Sequence, residues 1–246
     1  MKTPVPNQYC EFLSWDSHFW GYYIARTTVP EWREEIVVDI MKWQKSEHIR
    51  CLYTLVDVAD FSACKFVPHM GGNCVDVRVS FERNLVERIE DAPLPVDLVI
   101  RPVVNSDVPT LINIASYSYY DTRFYFDQYF DRSKSNTLYQ LWIENSCQKI
   151  LADEVWVAEM DDCPVGYITC VVKQHVGTIG LVGVSRDVRG HGIGKQLVLC
   201  ALRWFKQQGC TIVKVATQGR NVLAQRVYQR THFLTSNIGL WYHTWR

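Results

Sequence analysis

The sequence lacks an excess of charge of either sign. Its 246 residues include 26 Lys and Arg residues and 26 Asp and Glu residues. A chain without a basic excess has no broad electrostatic attraction for nucleic acid or for an anionic membrane surface. Neither is therefore expected as a partner, and any polyanionic ligand must be held by a local site.

Paired cysteines and long apolar runs are also missing. None of the nine cysteines forms a C-x-x-C pair, and an odd number does not suit a disulfide framework. We therefore expect reduced thiols and no metal site, as is typical of a cytoplasmic protein. No window approaches the roughly 18 apolar residues of a membrane helix. The first residues show no signal-peptide pattern, so membrane insertion is not expected.

Two closely spaced prolines, Pro93 and Pro95, precede a strand-like run and indicate a seam in the chain. We place a domain boundary near residue 95, which predicts a smaller domain over residues 1–95 and a larger one over residues 96–246. Internal repeats and low-complexity tracts are absent from the sequence.

Within residues 1–95, apolar residues recur at helical spacing over residues 31–48, which predicts a helix there. Alternation and β-branched residues predict strands over residues 49–58 and 74–82. A turn region is expected over residues 64–72, where a proline and two glycines fall close together.

The pattern over residues 96–246 predicts the order β-α-α-β-β-β-α-β-α-β and hence an α/β fold with a mixed sheet. Strands are expected at 96–103, 154–160, 164–174, 176–185, 211–217 and 238–245, and helices at 105–120, 133–147, 193–209 and 221–232.

Three glycines, Gly190, Gly192 and Gly194, stand directly before or within the start of the predicted helix 193–209. A helix start exposes unpaired N–H groups and the positive end of the helix dipole, and glycines let a ligand reach the main chain. This pattern predicts a pyrophosphate cradle, to which Arg189 would add a charge-assisted bond. A P-loop is excluded because Gln196 stands where that motif needs Ser or Thr. A dinucleotide fingerprint is excluded because three strands precede the loop.

The same stretch matches a family motif. Arg189, Gly192 and Gly194 fit the pattern [R/Q]-x-x-G-x-[G/A], which holds the coenzyme in the GNAT family of acyl-CoA N-acyltransferases. A second GNAT motif, N-x-x-A-x-x-x-Y, is matched further on by Asn221 and Tyr228. Residues 96–246 therefore resemble that family, although His232 replaces the usual glycine of the second motif.

The resemblance implies a GNAT fold with a smaller GNAT-like domain in front of it. It also implies acyl-CoA, either acetyl-CoA or a longer thioester, as co-substrate without a metal. By the same resemblance the coenzyme would be bound by Gly183, Val184, Arg189, Gly190, His191, Gly192, Ile193, Gly194, Lys195, Asn221 and Arg226.

Tyr228 is the candidate general acid for the departing thiolate. A phenol has a reference pKa of about 10 and a thiol about 8.5, so the phenol stays protonated near neutral pH. The alternative is a tyrosine that only packs in the core. For the general base His69 is a candidate because it titrates near neutral pH. A structural histidine and a chain of waters remain alternatives.

Other segments extend the resemblance to nearly the whole chain. SWDSHFWG, TRFYFD, LYQLWIENS and VATQGRN are similar to the dTDP-fucosamine acetyltransferases and related enzymes that act on dTDP-linked amino sugars. This implies N-acylation of a nucleotide-linked amino sugar for surface polysaccharides such as O-antigen. Arg123 would bind the diphosphate, and Phe124 or Tyr125 would stack near the base. A cation–π contact inside the fold is the alternative for Arg123.

Three matters stay open at this point. The acceptor amine could belong to a protein N-terminus, a polyamine or an aminoglycoside instead, and the chain could bind acyl-CoA without catalysing transfer. The acyl chain and the position of the amine on the sugar, carbon 3 or carbon 4, are equally open. The oligomeric state is open as well, a homodimer included.

Overall fold

A computed structural model describes residues 3–93, 95 and 97–246 of the chain. The chain forms two compact units. The first unit comprises Met1–Arg78 and Asn237–Arg246, and the second unit comprises Val79–Ser236. The domain boundary near residue 95 stays a prediction, and residues 94 and 96 beside it lie outside the described residues. The strand expected from residue 96 is described only from Val99 onward.

Both units contain strands and helices, and the predicted mixed α/β fold is confirmed. Up to residue 84 the elements are β1 (Cys10–Phe12), α1 (Ser14–Trp20), β2 (Ile24–Thr27), α2 (Glu34–Ser46), β3 (Cys51–Asp57), α3 (Phe61–His69) and β4 (Gly72–Asn84). The remaining elements are β5 (Val99–Pro102), α4 (Val108–Ser116), α5 (Arg123–Phe126), α6 (Arg132–Cys147), β6 (Glu154–Met160), β7 (Cys163–Lys173), β8 (Val176–Val184), α7 (Ile193–Gln207), β9 (Ile212–Gln218), α8 (Val222–Arg230) and β10 (Leu234–Trp245). Within the described residues, every helix is too short or too polar to cross a lipid bilayer.

The first unit is built on a sheet with the order β1-β2-β3-β10-β4. Strand β3 pairs in parallel with β2 and antiparallel with β10. Helix α2 buries Val37, Ile40 and Trp43 at helical spacing, and these side chains pack with Leu52 and Val56 of β3. The helix predicted over residues 31–48 is therefore present but shorter, because only its central turns carry the buried apolar face.

The turn region expected over residues 64–72 is wrong, because helix α3 occupies most of it. The Asp60 carboxylate caps this helix by accepting a hydrogen bond from the Ala63 N–H at 2.9 Å. Pro68 lies in the last turn, where only one intrahelical bond is lost. Ala63 and Val67 are buried in the core of the first unit, and this packing outweighs the local turn signals.

In the second unit the sheet order is β4-β9-β8-β7-β6-β5. The pairs from β5 to β8 are antiparallel, and β8 and β9 are parallel. The predicted order of elements is confirmed for the described residues, with α5 as one additional helical turn. This element was not expected because four residues are too few to show helical periodicity.

The two faces of the sheet in the second unit carry different helices. A Cβ added at Gly166 of β7 would lie 3.3 Å from Leu197 of α7, so this residue faces α7. The next residue, Tyr167, points to the opposite face, where its hydroxyl bonds to that of Tyr119 beyond α4. The sheet thus separates α7 from the segment that follows α4.

A partly buried ionic network joins β5, β6 and the start of α4. Arg101 forms two hydrogen bonds with the Asp107 carboxylate, at 2.7 and 2.9 Å, and a third with Glu159 at 2.9 Å. Asp107 also accepts the Val104 N–H at 2.9 Å and so caps the turn that leads into α4. Its hydrogen bonds with Arg101 lower the pKa of the Asp107 carboxyl group below the usual value.

We predict that Asp107→Asn lowers the free energy of unfolding at pH 7 by on the order of 2–3 kcal/mol, because Arg101 loses its charged partner. A carboxylate with a lowered pKa stabilises the fold above its unfolded pKa of about 3.9, and this contribution disappears as the pH falls through the folded pKa. Urea unfolding from pH 7 to pH 3 should therefore show the two proteins converging at acidic pH.

The matched control for this experiment is Glu11→Gln, which removes the exposed partner of Arg26. An exposed pair contributes little to stability, so this variant should unfold like the parent. A constant difference between the Asp107 variant and the parent across the pH range would contradict the assignment.

Candidate functional site

Strand β8 carries a β-bulge opposite Thr169. The register between β7 and β8 shifts at this point, so that Gly180 and Leu181 of β8 oppose one residue of β7. The Thr169 hydroxyl accepts the Leu181 N–H at 2.8 Å in place of a backbone carbonyl. A Cβ at Gly180 would lie 2.7 Å from that hydroxyl oxygen, so the close approach requires glycine.

The bulge coincides with the point where β8 leaves β9. Among the described residues, the parallel ladder pairs 176–179 with 212–215 and ends there. Residues 182–184 remain paired with β7, so their other edge faces the gap toward β9. An open strand edge beside a gap can pair with the amides of an extended ligand. The coenzyme contacts that the resemblance implies for Gly183 and Val184 stay a prediction.

The glycine-rich loop after β8 turns through left-handed backbone. Gly190 has φ 87° and Gly192 has φ 82°, and Gly192 is the N-cap of α7 without a side-chain cap. The first intrahelical bond of α7 runs from the Gln196 N–H to the Gly192 carbonyl at 3.1 Å. The N–H groups of residues 193–195 therefore have no acceptor within the helix and lie at its positive end. They are suited to bind an anion.

Gly194 lies where three elements meet. Its built Cβ would be 3.9 Å from Val184 at the end of β8 and 3.9 Å from Val227 of α8. Val227 precedes Tyr228, so the loop, the open strand edge and the helix of the candidate acid are brought together. The strand edge and the loop are consecutive in the chain, and the tertiary structure brings α8 next to them.

Tyr228 is buried, with 5% of its surface exposed, between the rings of Phe81 at 5.7 Å and Phe233 at 5.8 Å. Burial raises its pKa above that of a free phenol. The side chain therefore remains an O–H donor well into the alkaline range, and it is also a weaker acid than a phenol in water. His232 has φ 58°, which accounts for the glycine that usually stands at this position.

Several predicted coenzyme residues contact protein atoms. Asn221 caps α8 by accepting the Ala224 N–H at 3.1 Å, and Arg226 is exposed on that helix. Arg189 donates to the Val184 carbonyl at 3.1 Å, and the exposed His191 bonds the Val188 carbonyl. These contacts fix the shape of the loop.

Lys195 is directed to Glu90, with Nζ and Oε1 3.1 Å apart. His232 lies on the other oxygen of the same carboxylate at 3.4 Å. The hydrogen bond with Lys195 is the main cause that lowers the pKa of the Glu90 carboxyl group, and the contact with His232 lowers it further. The loop therefore presents main-chain donors at its turn, while its lysine pairs with an acidic side chain.

A pair of phenols that the sequence did not point to lies at the end of β8. The hydroxyls of Tyr119 and Tyr167 are 2.9 Å apart. The Tyr167 ring packs on Gly183, where an added Cβ would come within 2.7 Å of it. The pair has two O–H groups and one internal bond, so one O–H remains for another acceptor. Burial is the main cause that raises the pKa of both phenols. No sequence signal identifies this pair, because the two residues are 48 positions apart.

The expected acceptor residues form a compact cluster on α5. The Arg123 guanidinium lies 4.6 Å from the centroid of the Phe124 ring. Phe124 and Tyr125 are buried, at 3% and 8% exposure, and the Tyr125 hydroxyl donates to Asn136. This cation–π contact is compatible with the alternative of a contact inside the fold, and the roles of Arg123, Phe124 and Tyr125 in acceptor binding stay predictions.

His69 ends α3 in the first unit, where its side chain is exposed. Its Nδ1 bonds the Lys65 carbonyl at 2.5 Å, one turn earlier. This contact lies at the end of helix α3. The role of His69 as a base stays a prediction. Among the described residues, no group of three or more His, Cys, Asp or Glu side chains could hold a metal ion.

The second unit has the features of the GNAT fold. Within a mixed sheet, a bulged strand that splays from its neighbour is followed by a glycine-rich turn and a helix. Residues 117–233 match the family model "Acetyltransferase (GNAT) family". The chain therefore contains a GNAT acetyltransferase domain, as the motifs predicted. That the first unit is itself GNAT-like stays a prediction.

Solved structures and characterised sequences include proteins that are similar to this chain. A GCN5-related N-acetyltransferase from Sphaerobacter thermophilus aligns with a TM-score of 0.68 at 16% identity, over 95% of this chain and 75% of that one. At this identity the likeness shows the fold. The dTDP-fucosamine acetyltransferase of Escherichia coli O6:H1 is 26% identical over 64% of this chain and 70% of its own length. The spore coat polysaccharide biosynthesis protein SpsD of Bacillus subtilis is 24% identical to this chain. The alignment covers 58% of this chain and 50% of SpsD.

We predict that Thr169→Val weakens acetyl-CoA binding because the bulge loses the acceptor of the Leu181 N–H. An unpaired buried N–H costs about 1–3 kcal/mol, so the variant should also unfold at lower urea concentration. The control is Thr169→Ser, which keeps the hydroxyl. Isothermal titration calorimetry with acetyl-CoA checks both proteins, and equal affinity for Val and Ser would show that the bulge is not needed for binding.

We predict that Gly192→Val reduces acetyl-CoA affinity at least tenfold. Left-handed backbone costs a residue with a Cβ roughly 1–2 kcal/mol, so the loop would leave the conformation that directs its amides outward. Gly194→Ala is the control, because Gly194 has no left-handed φ and its added Cβ would make only ordinary contacts. Circular dichroism should show both variants folded, and parental affinity in the Gly192 variant would rule out the cradle.

Proposed function

We propose that the second unit transfers an acyl group, acetyl or larger, from acyl-CoA to a primary amine. The observation that carries this proposal is the convergence of three features at Gly194: the open edge of β8, the amides at the start of α7 and the helix that holds Tyr228. A strand edge for an extended amide chain beside an anion site fits a ligand that joins a pantetheine arm to a pyrophosphate.

In this proposal the N–H groups of residues 193–195 and the Arg189 side chain bind the coenzyme pyrophosphate. Gly183 and Val184 pair with the pantetheine arm, and a main-chain N–H of this strand polarises the thioester carbonyl. Gly190, His191 and Ile193 shape the turn. Asn221 acts by capping α8, and Arg226 and Lys195 stay candidates for contacts along the coenzyme.

The reaction is direct attack of a neutral amine on the thioester carbon. The amine nitrogen forms the new C–N bond and loses a proton, while the C–S bond breaks and its electron pair goes to sulfur. Proton transfer from a buried phenol to a free thiolate is uphill, since thiols have a lower pKa than phenols. Tyr228 therefore acts in the transition state, where its O–H stabilises negative charge on sulfur before the thiolate is fully formed. A chain of waters takes the proton of the amine, and the role of His69 as the base stays a prediction.

For the acceptor we propose a nucleotide-linked amino sugar, with dTDP as the nucleotide. The support is the similarity to a protein named dTDP-fucosamine acetyltransferase over 64% of this chain, and to one named for spore coat polysaccharide biosynthesis over 58%. Such an enzyme would act in the cytoplasm and supply acylated amino sugars for surface polysaccharides. The proposal requires no metal, nucleic acid or membrane as a partner.

The test is turnover with acetyl-CoA and a panel of amines: dTDP- and UDP-linked amino sugars, a polyamine, an aminoglycoside and a peptide with a free N-terminus. We expect product only with the nucleotide-linked sugars. Tyr228→Phe should lower kcat on the order of 100-fold, because it removes a single proton donor, and leave acetyl-CoA affinity unchanged.

The control for that variant is Tyr242→Phe, which removes a buried phenol from the first unit and should keep parental kcat. Turnover of another amine alone would refute the sugar-nucleotide acceptor and leave acyl transfer in place. Parental kcat in the Tyr228 variant would refute its role as the acid.

A further inference from the structure

Arg186 begins the short 3-10 turn between β8 and the glycine-rich loop. Its side chain is exposed, and the guanidinium lies over two aromatic rings, with centroids at 4.7 Å for Tyr117 and 5.8 Å for Tyr120. Both tyrosines belong to the segment that follows α4. The arginine thus lies between the coenzyme loop and that segment, in cation–π contact with both rings.

This contact leaves the hydrogen-bonding edge of the guanidinium available. Among the described residues, no carboxylate lies within ion-pair distance of Arg186, and its side chain donates no hydrogen bond to protein. The contrast is Arg101, whose donors are occupied by two carboxylates. A guanidinium in cation–π contact keeps all its N–H donors, and two of them can bind two oxygens of a phosphate.

The site of acyl transfer lies close to this cation in the chain and in space. Tyr119 stands between the two stacked tyrosines and bonds Tyr167, whose ring packs on Gly183. Gly183 belongs to the open strand proposed to hold the thioester. The segment after α4 therefore makes two kinds of contact. Tyr119 contacts β8 through Tyr167, and Tyr117 and Tyr120 contact the Arg186 guanidinium.

We propose that Arg186 binds the diphosphate of the acceptor, and that the acceptor is therefore recognised through a nucleoside diphosphate. This inference rests on the proposed acyl transfer to a nucleotide-linked amino sugar. The N–H groups at the start of α7 already provide for the coenzyme pyrophosphate. Arg186 stacks instead on residues after α4, so its donors serve the second ligand. Tyr120, with 44% of its surface exposed, offers an aromatic surface beside the diphosphate.

The assignment differs from the one made by pattern. Arg123 was expected to bind the diphosphate, yet its guanidinium covers Phe124, a buried residue of α5. The sequence does not single out Arg186, because this residue precedes the coenzyme motif and belongs to no motif itself. Its ring partners lie 66 and 69 positions away in the chain, and only the tertiary structure brings them to it.

The experiment measures binding of dTDP, as the nucleoside diphosphate probe, and of acetyl-CoA by isothermal titration calorimetry. Arg186→Gln should weaken dTDP binding at least tenfold, and Arg186→Lys should recover part of the loss, since it restores the charge without the planar fork. Acetyl-CoA affinity should stay within twofold of the parent in both variants. Arg230→Gln removes the same charge from the exposed end of α8 and should change neither affinity.

Three results would overturn the inference. Unchanged dTDP affinity in Arg186→Gln would show that this residue does not bind the diphosphate, while the sugar-nucleotide acceptor would stand. A loss of acetyl-CoA affinity with unchanged dTDP affinity would assign Arg186 to the coenzyme. If the parent protein itself does not bind dTDP, the proposed acceptor fails together with the role of Arg186.

Discussion

The arrangement of the site depends on one hydrogen bond, from the Leu181 N–H to the Thr169 hydroxyl. A strand that inserts an extra residue must leave a backbone group without its ladder partner, and in the interior of a sheet that group needs another acceptor. The threonine side chain supplies it, and Gly180 makes room for the hydroxyl. Because the bulge is satisfied, β8 can turn away from β9 without exposing a buried polar group. The gap that results is where an extended ligand can pair with the strand.

Around this gap the chain uses main-chain groups and neutral hydroxyls more than charged side chains. The turn at Gly190 and Gly192 directs amides outward, and the phenols of Tyr119, Tyr167 and Tyr228 are held protonated by burial. Groups of this kind stabilise charge that develops during a reaction without carrying a charge that must first be desolvated. Of the charged groups nearby, Lys195 pairs with Glu90.

The sequence predicted the parts of the site that consist of consecutive residues. The glycine-rich turn could be recognised because the left-handed φ of Gly192 is a local demand that glycine meets, and the spacing of Asn221 and Tyr228 follows from the geometry of one helix. Local signals failed where tertiary packing decided the outcome. Residues 64–72 carried turn residues and yet form most of α3, because Ala63 and Val67 pack in the core. The role of Arg123 in binding a diphosphate stays a prediction, and its guanidinium lies 4.6 Å from the centroid of the Phe124 ring.

By itself, then, the sequence determined the mixed α/β order of elements, the turn before α7 and the helix that carries Tyr228, because each depends on interactions within a few residues of chain. The tertiary structure alone decided that β8 bulges at Thr169, that Tyr119 meets Tyr167, and that the Arg186 guanidinium lies over the rings of Tyr117 and Tyr120. These features join residues from 11 to 69 positions apart. Their formation depends on strand register and on which face of the sheet a side chain meets, and neither quantity can be read from local composition.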